Sequence, residues 1–195
     1  MIEWISDVLD VLWVGWILFW LGEPLYENAR GKSKRVVSRG RGYALSYILL
    51  LGAFGTLQIS FTGQLAFLSI DFLPDTPPVG IFGLGLAVAG LAFSIWARLY
   101  LGSNWSPSAM LKEGQTLVKT GPYAIVRHPI YLGLTVAMIG TGIVFGGYRI
   151  IVSITCMLLF SWLRITEEER LMAHQFSENY AKYKEEVKAF IPGII

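Results

Sequence analysis

Charge is what this chain has least of. Only 14 acidic and 16 basic side chains occur among 195 residues, 15% of the total, where a soluble domain carries about 25%. With 54% hydrophobic residues, the chain is too apolar to face water on every side, and an integral membrane protein is expected. Cysteine is nearly absent. Cys156 alone excludes an intramolecular disulfide and a cysteine zinc cluster, and its apolar surroundings suit a small core residue. His128 and His174 are the only histidines, too few with the nearby glutamates to specify zinc, so no metal is expected. A net charge of +2 gives no reason to expect a nucleic-acid partner. The first residues carry Glu3, Asp7 and Asp10 instead of a basic segment, so a cleaved signal is not expected.

What the chain does have is long apolar runs. A helix crosses the bilayer with about 20 mostly apolar residues, and five stretches qualify: 2–21, 43–61, 79–101, 130–146 and 148–163. The last two are short and separated only by Gly146-Gly147, which reads as a tight helical hairpin. The expected fold is an all-α membrane bundle of five transmembrane helices closed by that C-terminal hairpin. Charge supports the count. Arg30, Lys32, Lys34, Arg35, Arg39 and Arg41 follow the first span; Arg98, Lys112, Lys119 and Arg127 lie between the third and fourth; Arg164, Arg170, Lys182, Lys184 and Lys188 follow the fifth. Alternation places these 15 of the 16 basic residues on one side and leaves Arg149 opposite. Excess Lys and Arg mark the cytoplasmic face, so the N-terminus is expected outside and the C-terminus inside. Four or six spans would break the pattern. The stretch ARGKSKRVVSR at 29–39 reads first as this topology signal, with anionic headgroup binding as its second use.

Within the third span, Gly83, Ala87 and Gly90 recur at i, i+4, i+7, a pattern that lets a neighbouring helix approach closely. The G-L-G there follows no strand and is not a dinucleotide loop. Asp7 and Asp10 share a face with Glu3, and Asp10 would lie about 13 Å along the first helix. No catalytic role is assigned to them.

The basic side carries the residues with chemistry. Segment 102–129, GSNWSPSAMLKEGQTLVKTGPYAIVRHP, ends at the fourth span, and RITEEER, residues 164–170, follows the fifth. A hairpin returns the second to the mouth of the first, so His128 and Glu168 are expected to be neighbours across 40 residues. Pro129 suits the first turn of a helix, where its missing N–H costs nothing. Arg127 and His128 then stand at a helix N-terminus, where backbone N–H groups favour anions. Arg164, Glu167 and Glu168 share one face if the last helix continues. Alone, Arg164 would be a snorkelling anchor; three successive glutamates beside it demand a cationic partner or water.

The segment GPYAIVRHPIYLG (121–133), a membrane hairpin, RITEEERL (164–171), FSENYAKY (176–183) and a closing IPG resemble the isoprenylcysteine carboxyl methyltransferase family and, more widely, the phospholipid N-methyltransferases. The resemblance covers about residues 102–193. It implies one membrane domain over 1–195, with three N-terminal spans in 1–101 and a catalytic half in 102–195. It also implies S-adenosyl-L-methionine as cofactor and S-adenosyl-L-homocysteine as product. The cofactor positions it carries over are Gln115, Thr116, Leu117, Val118, Tyr123, His128, Pro129, Ile130, Tyr131 and Glu168, in a cytosolic pocket. Arg164 matches the arginine assigned to the acceptor carboxylate, and Arg127, Glu167 and Glu169 are candidate supports. The chain departs at Gln115, where eukaryotic members often have His, and has fewer spans. The implied reaction is O-methylation of an isoprenylcysteine-like carboxylate, with the bilayer and a lipophilic or prenylated acceptor as partners. Phospholipid or amine N-methylation is the alternative; an NADPH-dependent sterol-type reductase and a non-catalytic lipid-binding protein are more remote.

The cofactor's chemistry fits these residues. Glu168 suits the amino group or balances positive charge. Arg127, His128 and helix N–H groups suit the carboxylate, and the faces of Tyr123 and Tyr131 suit the adenine or the sulfonium. A carboxylate acceptor is ionised at neutral pH and needs no general base. A protonated amine would first have to lose a proton.

Overall fold

The computed structural model describes residues 3–29, 36–39, 43–58, 62–105, 110–112 and 114–193. Five helices carry the architecture: α1 (Glu3–Ala29), α2 (Tyr43–Gln58), α3 (Pro77–Leu101), α4 (Pro129–Phe145) and α5 (Arg149–Glu186). The all-α expectation holds with one addition. A short antiparallel ribbon pairs β1 (Val36–Arg39) with β2 (Met110–Lys112), Val36 opposite Lys112 and Arg39 opposite Met110. The ribbon ties the α1–α2 loop to the α3–α4 loop at one end of the bundle. Arg30, Lys32, Lys34, Arg35 and Arg41 lie outside the described residues.

Three helices are long and apolar enough to cross a membrane by length and composition, over Trp4–Gly22, Pro77–Asn104 and within Arg149–Glu186; Leu45–Leu57 and Pro129–Phe145 are shorter apolar helices. Large apolar side chains point outward, with Val11 72% and Leu51 71% exposed. That pattern suits a lipid solvent and would be costly in water. α1 and α5 both outrun the stretches 2–21 and 148–163. α5 continues through the strong helix formers Glu167, Glu168, Glu169, Arg170, Leu171, Met172 and Ala173, whereas α1 continues through Gly22 and Pro24 against local propensity.

Small residues weld α3 to α4. A Cβ on Gly90 would lie 2.4 Å from Gly133 O, and one on Gly140 would lie 2.4 Å from Gly83 O. The backbones therefore touch along the stripe expected from Gly83, Ala87 and Gly90, as small residues in apolar helices allow. Indoles fasten α1 to this pair: Trp13 Nε1 donates to Thr141 Oγ1 at 3.1 Å and Trp16 Nε1 to Ser94 Oγ at 2.9 Å. Ser153 Oγ donates to Ala53 O at 2.6 Å between α5 and α2.

Opposite the ribbon, the α4–α5 turn meets the segment before α3. Gly146 takes a left-handed φ of 73° and closes α4. Its carbonyl accepts from Phe72 N at 3.0 Å, and Tyr148 N donates to Ile70 O at 3.2 Å. Rigid helix contacts on one side and this turn on the other fix where α4 begins and where the polar part of α5 lies.

Candidate active site

The site forms where α4 starts. Pro129 is the first residue of α4 and His128 its N-cap position, with no side-chain cap bond. The two residues before Pro129 are held by the C-terminal segment: Arg127 N donates to Lys188 O at 2.8 Å and His128 N to Ala189 O at 3.0 Å. That segment arrives by a sharp reversal. In a straight helix Lys184 would lie about 22 Å along the axis from Glu169, yet Lys184 Nζ pairs with Glu169 Oε2 at 2.8 Å. The break is at Ser177, with φ 38° and ψ −114°, the one non-glycine positive φ among the described residues. Such backbone persists only where surrounding contacts over-determine it. Here they are the Lys184 pair, Lys119 Nζ to Asn179 O at 3.1 Å and Tyr183 Oη to Tyr123 O at 2.5 Å.

The adjacent glutamates on α5 have different tasks. Glu169 faces the fold: Arg127 donates from Nε at 2.9 Å and also from Nη2, and His128 Nε2 is 3.4 Å away. Glu168 faces a cavity. Tyr131 Oη donates to its Oε1, Arg164 Nη2 lies 3.5 Å away and His128 Nδ1 lies 3.6 Å from Oε2. Arg164 Nε in turn donates to Tyr131 Oη at 3.3 Å. Tyr131 therefore joins Arg164 to Glu168. Burial works against a charged His128, but hydrogen bonds and charges from Glu168 and Glu169 outweigh it and raise the imidazole above its ordinary value. Burial, reinforced by the Glu168 charge, pushes the Tyr123 phenol up and keeps it protonated.

The cavity measures about 440 Å³, within the range of small-molecule sites. Gln115, Thr116, Leu117 and Val118 make one wall; Tyr123, His128, Pro129, Ile130 and Tyr131 the next; Arg164 and Glu168 complete the polar side. All ten expected cofactor positions and the expected acceptor arginine thus meet in one space. Thr116 is held there by Asn104, whose Nδ2 donates to Thr116 Oγ1 at 3.1 Å while its Oδ1 accepts from Thr116 N at 3.2 Å. The supports divide. Arg127 borders the cavity but commits its guanidinium to Glu169 and the Val187 carbonyl. Glu169 and Glu167 are not among the lining residues, and Glu167 pairs with Arg170 at 2.8 Å.

Sequence reasoning missed the opposite wall. Trp16, Trp20 and Leu21 of α1, Tyr47 and Leu50 of α2, and Leu134 and Phe160 deeper in the hairpin line the cavity. Tyr180 and Tyr183 also reach it, from beyond the Ser177 break. A signal existed: the run WVGWILFW sets indoles at 13, 16 and 20, one helical face by the i, i+3, i+7 rule.

The chain is similar to known proteins. Residues 83–174 match the model of the isoprenylcysteine carboxyl methyltransferase (ICMT) family. The chain is 33% identical over 175 residues to the protein-S-isoprenylcysteine O-methyltransferase of Schizosaccharomyces pombe, covering 82% of this chain and 70% of that protein. It is 34% identical over 122 residues to the enzyme of the same name from Xenopus laevis, covering 60% of this chain but only 41% of that protein. Its fold is similar to the solved structure of the eukaryotic intramembrane Ras methyltransferase ICMT, with TM-score 0.59, 25% identity, and coverage of 79% of this chain and 54% of that one.

Proposed function

The chain belongs to the isoprenylcysteine carboxyl methyltransferase family, and from that membership we propose that it methylates the carboxylate of a lipophilic, isoprenylcysteine-like acceptor at the membrane, using S-adenosylmethionine. The observation that carries this reading is the Arg164–Tyr131–Glu168 cluster. One turn along α5 from Arg164 is Phe160, and its ring centroid lies 5.8 Å from that of Tyr131; Leu134 continues the apolar side on α4. A guanidinium at the meeting of polar and apolar walls suits a carboxylate head on an apolar tail.

The residues present fit the cofactor. Glu168 offers a carboxylate already held by Tyr131 and His128, suited to an ammonium. Residues 115–118 offer a backbone edge fixed by Asn104, and Tyr123, Tyr180 and Tyr183 offer aromatic faces. When bound, S-adenosylmethionine supplies an electrophilic methyl group. Arg164 would orient the acceptor carboxylate through charge-assisted hydrogen bonds. No base is required, because the carboxylate is ionised at neutral pH. Catalysis then rests on alignment and on exclusion of water from the cavity. The same guanidinium disfavours a protonated amine head, which supports O-methylation over N-methylation.

We further read five crossings, with the N-terminus outside and the cavity and C-terminus in the cytosol, on the strength of the Lys and Arg distribution. The division into 1–101 and 102–195 remains our reading of the chain, with the apolar wall drawn from the first part. Thermal-shift titration of detergent-purified protein tests the cofactor assignment: S-adenosylhomocysteine should stabilise it and NADPH should not. Stabilisation by NADPH alone would replace the reading with a reductase.

A further inference from the structure

Arg98 lies in the last turn of α3 and is only 1% exposed, yet it is not itself a lining residue. A cation there has an ordinary explanation, capping of the last carbonyls, and Arg98 Nη1 does donate to Gly102 O at 3.1 Å. Capping does not account for where the guanidinium lies. Its carbon is 4.1 Å from the centre of the Trp105 ring and 6.0 Å from that of Trp20. The two indoles meet edge to face, centroids 5.0 Å apart, and both line the cavity. Trp105 stands in extended backbone just beyond α3, its N–H also donating to Gly102 O at 3.0 Å. On one side of it, Asn104 grips the wall of residues 115–118. On the other, Trp20 leads through Trp16 into the apolar wall.

We propose that Arg98 is a positioning residue for the acceptor: it stacks behind Trp105 and fixes that indole as the seam between the cofactor wall and the apolar wall. A planar guanidinium can lie flat against an indole, whereas an ammonium is a hydrated point charge. Lysine would therefore still cap α3 but would not hold the ring. The inference rests on the acceptor reading above and concerns acceptor affinity alone.

The test is steady-state kinetics with a prenylated carboxylate acceptor, with S-adenosylhomocysteine binding measured on the same preparations. Arg98→Lys should raise the acceptor KM about tenfold, the order a desolvated cation–π contact carries, while kcat and thioether affinity stay at wild-type values. In a Trp105→Leu background the same change should add nothing further, because the ring it holds is gone. A wild-type KM in Arg98→Lys, or an equal rise in both backgrounds, overturns the proposal. If Arg98→Lys does not fold, Trp105→Phe against Trp105→Leu decides: the proposal requires the first to keep the acceptor KM and the second to raise it, and equal values overturn it. Loss of thioether binding together with activity would mean a structural role and would also overturn it. Wild-type protein that binds the thioether but methylates no carboxylate removes the acceptor reading and this proposal with it.

Discussion

The two walls of the cavity are built by different rules. The polar wall comes from the C-terminal half, where its main polar groups are paired: Tyr131 on Glu168, Arg127 on Glu169, Asn104 on Thr116. The apolar wall comes largely from α1 and α2, where Trp16, Trp20, Tyr47 and Leu50 supply bulk. Their positions are set by helix packing and a few indole bonds, such as Trp16 to Ser94. Charged hydrogen-bonded groups tolerate little change in identity or spacing. Apolar bulk tolerates a good deal, provided volume is kept. The comparison teaches that cofactor recognition should be brittle and acceptor-tail recognition graded.

The largest expected effect comes from the polar wall. Glu168→Ala removes the carboxylate facing the cavity and leaves Arg164 and His128 without it, so S-adenosylhomocysteine affinity should fall about a hundredfold, the upper range for hydrogen bonds to charged groups; titration calorimetry reads this directly. Arg164→Ala should cut turnover on a carboxylate acceptor by a similar factor of about a hundred while thioether binding persists. Unchanged turnover would take Arg164 out of the mechanism.

Glu169 sharpens the contrast, since it sits beside Glu168 and outside the cavity. Glu169→Gln should lower stability by about 1–3 kcal/mol through its lost charged partners, read as a drop in melting temperature, with thioether affinity far less affected than in Glu168→Ala. His128 bridges both glutamates and adds a pH signature. Its folded value is raised above the ordinary 6.5, so the stability it contributes is full below that ordinary value and fades as pH rises through the raised one. Melting temperature should therefore fall across that window in wild type, and His128→Gln should flatten the slope.

The smallest effect belongs to the apolar wall. Trp16→Leu removes the indole bond to Ser94 but keeps an apolar side chain, so the acceptor KM should rise only about threefold to fivefold, near the value of one net hydrogen bond. Thioether affinity should stay unchanged. A loss of cofactor binding in this variant would erase the distinction between the walls.

The same difference governs what could be read in the sequence. RHP before an apolar run, with Arg164 and Glu168 returning after a hairpin, marked His128, Arg164 and Glu168 as neighbours because helix starts and charge at a membrane border leave local marks. Gln115, Thr116 and Tyr123 came only with the family resemblance, and Asn104, Tyr180 and Tyr183 were not read at all. The Gly83–Ala87–Gly90 stripe was legible for the same reason. Ser177 left no mark, since serine has no preference for positive φ, and the fold-back that brings Lys184 to Glu169 depends on tertiary contacts alone. The ribbon of Val36–Arg39 with Met110–Lys112 joins segments far apart in sequence. The indoles of α1 were visible as a periodic face, but apolar periodicity does not distinguish a core contact from a cavity wall. Nor does an arginine at a helix end announce that it will be buried behind a tryptophan.

One measurement reaches the centre of this account. Purified protein in lipid nanodiscs is given methyl-labelled S-adenosylmethionine with N-acetyl-S-farnesylcysteine and, separately, with phosphatidylethanolamine. Carboxylate methylation predicts label on the farnesylcysteine as an ester that mild base releases as methanol, and none on the phospholipid. Base-stable label on the phospholipid amine, with none on the carboxylate, would contradict it.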